Sequence, residues 1–457
     1  MTTTEFDVIV IGAGPAGEVC AGRLGENGVS VGLVEGRLVG GECSYFGCMP
    51  SKALLRPEQA LDEARRIPGA AEAASGPLDV RAVLDRRNEV VHDLDDSVQL
   101  PWLEERGVTL LRGHGRLAGE RTVELDGTAY SARTAVVVAT GSEPAIPPIP
   151  GLAEAHGWTN REGTTSNAVP ARLVVLGGGV VGVELGQAWS TLGAEVAIVE
   201  AGPRILAREE ELAARFVHDA LVERGVFVHT GSRAVQVSRD DDGVTVTLES
   251  GEEVTADEIL VGVGRKPWTG DLGLETVGLK PGRYIDVDDT LRVAGTDWLY
   301  AIGDANGRAL LTHMGKYQGR IAADVILGRD ARIDPLSDRA LSPRVVFTEP
   351  QVAAVGHTLA SAQEAGLEVR AVDFETSGTA GGSFYGRGAP GVSRLVVDER
   401  RRVLVGATFC GAEISEWLHA ATIAVVGEVP IDRLWQAVPC FPTRSEIWLR
   451  LFETYGL

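Results

Sequence analysis

A chain of 457 residues with 43 basic and 64 acidic side chains carries a formal net charge of −21, which argues against nucleic acid or an anionic membrane surface as partner. The length allows about three domains, and no apolar run approaches the ~18–20 residues that a membrane span needs. The N-terminus lacks the positive stretch of a signal peptide, and five cysteines do not make a secreted disulfide scaffold, so a cytoplasmic α/β protein is expected.

Residues 6–11, Phe-Asp-Val-Ile-Val-Ile, read as a strand buried on both faces. Gly12-Ala13-Gly14-Pro15-Ala16-Gly17 follows at once and opens an apolar helix running to about Gly25. A second strand over residues 29–34 ends at Glu35. This is a βαβ unit in which the glycines let backbone N–H groups approach a pyrophosphate and the acid takes ribose hydroxyls.

The next stretch is Gly40-Gly41-Glu42-Cys43-Ser44-Tyr45-Phe46-Gly47-Cys48-Met49-Pro50-Ser51-Lys52. Cysteines five positions apart can face each other across a widened first turn of a helix, and Pro50 suits the start of that helix. The positive end of a helix dipole lowers a thiol pKa. In a reducing compartment such a pair is catalytic more often than structural. Lysine occurs only at Lys52, Lys266, Lys280 and Lys316, which sets the lysine after the cysteines apart.

Residues 53–100 alternate charged and apolar side chains at helical spacing. Residues 136–142 form a strand that closes on Thr140-Gly141-Ser142, and the proline-rich segment 143–151 reads as a crossing linker. The first architecture then recurs: a strand over 173–176, the loop Gly177-Gly178-Gly179-Val180-Val181-Gly182, and a strand over 196–199 ending at Glu200. Two such units imply two dinucleotides, economically one flavin and one nicotinamide exchanging hydride. A carboxylate at 200 favours NAD(H) over NADP(H), and Arg204 and Arg208 just beyond it are read as solvated arginines. Residues 259–267, with Gly264, resemble an exit from the second unit, and residues 299–304 form a strand that closes on Gly303-Asp304. From Pro343 the chain becomes an α+β module without a nucleotide motif. No metal ligand set is read.

Taken together these motifs resemble the flavoprotein disulfide reductases, the family of glutathione reductase, dihydrolipoamide dehydrogenase and mercuric reductase. The resemblance implies two Rossmann-like domains, a central domain and a C-terminal α+β dimerisation domain. Its boundaries would be an FAD domain with the redox cysteines at 1–150, an NAD(P) domain at 151–270, a central domain at 271–342 and a dimerisation domain at 343–457. A homodimer acting on a small-molecule substrate is expected. Gly12, Gly14, Pro15, Ala16, Gly17, Glu35, Gly41, Thr140, Gly141, Ser142, Asp304, Thr312 and His313 would hold FAD, with Asp304 on its ribitol. Cys48 would lie against the flavin and Cys43 would face substrate, while Lys52 would approach the flavin and pair with Glu184. Gly177, Gly179, Val180, Val181, Gly182, Glu184, Glu200 and Gly264 would serve NAD(P). Electrons would pass from NAD(P)H by way of flavin and the cysteine pair to an acceptor.

The pattern breaks at Cys440-Phe441-Pro442-Thr443-Arg444-Ser445-Glu446. Disulfide-reducing members of the family carry a histidine where Phe441 stands, held by an acid at the position of Glu446. Positioned acid–base catalysis is typically worth about 10²–10⁴-fold. Three readings follow. The acceptor needs no proton there, as with a metal ion, a quinone, or the thioether chemistry of the carboxylating family member. Glu446 or Cys440 takes over, although Cys440 is expected to be a small buried residue. Or the chain is a diaphorase or redox sensor.

Overall fold

The structure, a computed structural model, describes residues 4–386 and 388–457. Strand β1 (Glu5–Ile11) has Phe6, Val8, Ile9, Val10 and Ile11 all buried, as an apolar run covered on both faces requires. Helix α1 (Pro15–Glu26) crosses over to β2 (Val31–Glu35), which runs parallel to β1. The sheet extends through Val108–Arg112 beyond β2 and through Thr128–Val138 on the far side of β1. The short strand Leu299–Ala301 joins it parallel to the end of Thr128–Val138.

By its internal contacts the chain divides into two compact units. The first holds the residues up to Pro50, Asn88–Ala145 and Arg265–Arg339; the second holds Ser51–Arg87, Ile146–Gly264 and Ala340–Leu457. In the first, helix Thr312–Ile326 lies directly on α1. A Cβ on Gly319 would stand 2.6 Å from the Ala16 carbonyl oxygen, and one on Gly315 would stand 3.2 Å from the Ala16 Cβ. Two glycines thus let the helices approach to backbone contact, and Arg23 closes the far end on Asp324 at 2.7 Å.

The second unit contains a four-stranded parallel sheet in the order Phe227–His229, Glu195–Val199, Arg172–Leu176, Glu258–Val261. Helix Val180–Thr191 covers it and is buried over much of its surface, Glu184 and Gln187 included. A three-stranded antiparallel sheet accompanies it, and the C-terminal part forms a five-stranded antiparallel sheet around Val403–Gly411.

The cysteine motif differs from a single widened turn. Cys43 lies in the short helix α2 (Gly41–Tyr45), whereas Cys48 opens the long helix α3 (Cys48–Arg66). Gly40 and Gly41, with φ of 107° and 60°, turn the chain into α2, a backbone that a side chain would strain. The Phe46 N–H donates to the Glu42 carbonyl at 2.8 Å and ends it. A Cβ on Gly47 would stand 3.2 Å from that same oxygen, so the fold-back needs a small residue there. The helical pattern over 53–100 resolves into α3, which contains Pro57, then Val80–Val90 and Leu100–Glu104.

Candidate active site

In the first unit the glycine loop is shaped by backbone proximity. Gly12 has φ of 105°, and a Cβ there would stand 2.4 Å from the Ala139 carbonyl oxygen. A Cβ on Gly17 would stand 1.9 Å from the Gly12 oxygen, while Gly14 faces open space. Pro15 occupies the first turn of α1, where its missing N–H is harmless. Glu35 receives the Ala13 N–H at 2.8 Å and the Arg37 N–H at 2.7 Å, so its carboxylate is fixed at the loop. Gly41 packs against Gly14, its Cβ position 2.8 Å from the Gly14 Cα. The Thr140 hydroxyl is buried without a hydrogen-bond partner among the described residues, and Gly141 beside it has φ of 74°. A glycine cradle at a helix N-terminus with space beside Gly14, a placed acid and an orphaned hydroxyl fit a dinucleotide such as FAD.

The thiols lie in the same unit. Cys48 Sγ is 3.3 Å from Thr312 Oγ1 at the start of helix Thr312–Ile326. The hydrogen bond that Cys43 shares with Cys48, together with burial, pushes the Cys43 thiol far above its ordinary range, against the Thr312 hydroxyl. Two thiols sharing a proton lose them in separate steps, so the reduced pair holds one thiolate before it holds two. His313, the neighbour of Thr312, is exposed.

Asp304 belongs to a cluster that no local pattern signalled. Ser142 Oγ donates to Asp304 Oδ2 at 2.5 Å and accepts from Arg265 Nε at 2.7 Å. Arg265 also stands 3.9 Å from both Asp304 and Glu42. Burial pushes the Asp304 carboxyl above the ordinary carboxylate range, while Ser142 and Arg265 oppose the shift. Glu42, the residue before Cys43, is thereby tied to the same guanidinium as the candidate ribitol acid.

The second unit repeats the cradle. Gly177 has φ of 102°, a Cβ on Gly182 would stand 1.9 Å from the Gly177 oxygen, and Gly179 faces open space. Glu200 receives the Gly178 N–H at 2.7 Å and the Gly202 N–H at 2.6 Å. Val180 is exposed, Val181 is partly buried, and Gly264 has φ of 143° with open space around it. The Arg204 guanidinium is occupied by the carbonyls of Leu206, Ala207 and Glu209 at 2.8–2.9 Å, and Arg208 is exposed. Lys52 Nζ donates to Glu184 Oε2 at 2.6 Å, with the Glu184 side chain 4% exposed. A buried carboxylate needs such a partner.

Phe441 is 77% exposed. Glu446 is buried at the start of helix Glu446–Tyr455 and receives the Gly381 N–H at 3.4 Å. Cys440 is exposed rather than buried, because the segment from Gln436 to Ser445 lies outside regular helix and strand and leaves most of its side chains uncovered. Arg444 is the residue here that the sequence reading missed. Its guanidinium stacks between the Tyr385 and Trp417 rings, 4.1 and 4.2 Å from their centroids, and pins the segment.

A family model, pyridine nucleotide-disulphide oxidoreductase, matches residues 6–319, and that family's dimerisation domain matches residues 342–451. A dihydrolipoyl dehydrogenase of Thermus scotoductus is 35% identical over 450 residues, 96% of this chain and 95% of that protein. A mercuric reductase of Staphylococcus aureus is 29% identical over 448 residues, 97% and 81% of the two chains. The solved structure of LpdA from Mycobacterium tuberculosis has a TM-score of 0.86 at 26% identity and covers 100% of both chains. Among the described residues no helix is long and apolar enough to cross a membrane. The chain belongs to the FAD-dependent pyridine nucleotide-disulfide oxidoreductases.

Proposed function

We propose that this enzyme, as a homodimer, uses NADH to cycle the Cys43 and Cys48 pair between disulfide and dithiol, and that its acceptor is not an ordinary disulfide. The observation that carries the second half is the segment 440–446. Where the resemblance expects a proton-donating histidine the sequence has Phe441, whose ring is exposed in the single chain, and Glu446, the acid of the motif, accepts from the Gly381 N–H. An acceptor that leaves no thiolate to be protonated, such as a metal ion or a quinone, loses nothing by this arrangement. The name of the mercuric reductase relative supports that class.

Residues 12–17, Glu35, Thr140 and Asp304 would hold FAD, which when bound would supply the exchange of two electrons between a nicotinamide and a dithiol. The protein's own groups do the rest. Cys48, at the first residue of α3 and beside Thr312, is favoured as the thiolate by the helix terminus. Cys43, on the separate short helix α2, is the sulfur that meets the acceptor, and it attacks as its thiolate. The pair of Lys52 with Glu184 fixes the Lys52 donor, four positions after Cys48 in the sequence. NADH is preferred because Glu200 presents a fixed carboxylate and Arg204 is already spent on backbone carbonyls.

The test is Phe441→His, assayed with small disulfides, quinones and metal ions. Turnover of disulfides rising by about tenfold or more, with other acceptors unchanged, supports the proposal. No change on disulfides removes it.

A further inference from the structure

We propose that Phe347 is a positioning residue for the Lys52 ammonium, acting through its ring and its backbone N–H together. The inference rests on the reading above only in giving Lys52 a part in the reductive step.

Lys52 ends in a compact charge on a flexible stem with three donors. One donor goes to Glu184 Oε2 at 2.6 Å and one to Ser51 Oγ at 3.2 Å. The Phe347 ring covers a further side, its centroid 4.6 Å from Nζ, where the negative face of an aromatic ring attracts a cation. The Phe347 N–H occupies the other Glu184 oxygen, Oε1, at 2.8 Å. Both oxygens of the buried carboxylate are therefore engaged, and Glu184 has one orientation in which to meet Lys52.

The turn that carries Phe347 is itself held. Its carbonyl accepts from Gln59 Nε2 at 2.8 Å. Two residues on, the Glu349 N–H donates to Gln187 Oε1 at 2.9 Å, and the Glu349 carboxylate accepts from Arg66 at 3.1 Å. Glu184 and Gln187 project from one helix, Lys52, Gln59 and Arg66 from another. Glu184, Gln187, Gln59 and Glu349 are each no more than 6% exposed. Bonds at this density make the ring a fixed wall rather than a mobile cover.

Four lysines in the chain make Lys52 separable by mass spectrometry, with Lys266, Lys280 and Lys316 as internal references. The experiment follows acetylation of each lysine in the folded holoenzyme, beside single-turnover reduction by NADH. Phe347→Met keeps the volume and removes the ring face. It is expected to speed Lys52 acetylation about 2- to 5-fold relative to the other three lysines and to slow reduction without changing the KM for NADH. Phe347→Tyr, which keeps the ring, should restore both and covers the case in which methionine is not tolerated. Unchanged Lys52 acetylation in Phe347→Met, or loss of protection in a folded Phe347→Tyr, would overturn the inference. Lys52→Met with unchanged reduction by NADH would instead remove the reductive role of Lys52, leaving acetylation as the test of Phe347.

Discussion

The loops after β1 and after strand Arg172–Leu176 turn on a first glycine of nearly the same conformation, with φ of 105° at Gly12 and 102° at Gly177. In each the last glycine would strike the first glycine's oxygen at 1.9 Å if it carried a Cβ, and in each a glutamate at or just past the end of the next strand takes two backbone N–H groups. Their surroundings differ. The first is closed in by Gly41 and by helix Thr312–Ile326, with Ala16 in a socket of Gly303, Gly315 and Gly319. The second leaves Val180 and Val263 exposed, at 41% and 45%. The same cradle enclosed suits a prosthetic group that stays, and open it suits a nicotinamide that must leave at every turnover.

The sharpest way to break the comparison is to insert a methyl group at equivalent points. Gly17→Ala forces Cβ into the Gly12 carbonyl and costs at least the ~1–3 kcal/mol of overpacking, so the purified protein should lose FAD and much of its thermal stability. Gly182→Ala carries the same local overlap, yet it should keep FAD and raise the KM for NADH. Absorbance of bound flavin and steady-state kinetics separate the two. FAD loss from Gly182→Ala would mean that the loops do not divide the work.

A smaller effect is expected at Glu200. Hydrogen bonds to a charged group are worth about 1.5–3 kcal/mol, so Glu200→Gln should lower kcat/KM for NADH by about tenfold or more and narrow its ratio to NADPH. An enzyme that already prefers NADPH would contradict this reading of the second loop.

The smallest concerns Glu18, in the first turn of α1. Burial, with Glu35 adding to it and Lys316 opposing, raises its carboxyl from 4.5 to about 7. Between those values the folded state binds the extra proton, so stability falls as pH rises from about 4.5 to about 7 and the penalty is complete above that. Glu18→Gln should therefore raise Tm at pH 8 and leave it nearly unchanged at pH 4.5. An equal shift at both pH values would remove the ionised Glu18 as the cause.

Much of the fold and family was legible because its signals are local: glycines at fixed spacing between two strands, an acid at the second strand's end, two cysteines before Pro-Ser-Lys. What was not legible joins distant parts of the chain. Thr312 reaches Cys48 across 264 positions, Phe347 takes Glu184 across 163, and Arg265 takes Ser142 across 123. Each is one ordinary residue whose role exists only once the elements have packed. Cys440 shows the limit from the other side. The general tendency of free cysteine to be buried gave the wrong expectation, because its segment takes no regular structure here.

If the dithiol is the outlet for electrons from NADH, anaerobic titration of the oxidised enzyme with NADH must show it. A long-wavelength absorbance band from the Cys48 thiolate beside the flavin is expected, complete at one equivalent of NADH and absent in Cys48→Ser. A parent enzyme that bleaches without that band, or a Cys48→Ser variant that retains it, would contradict the claim.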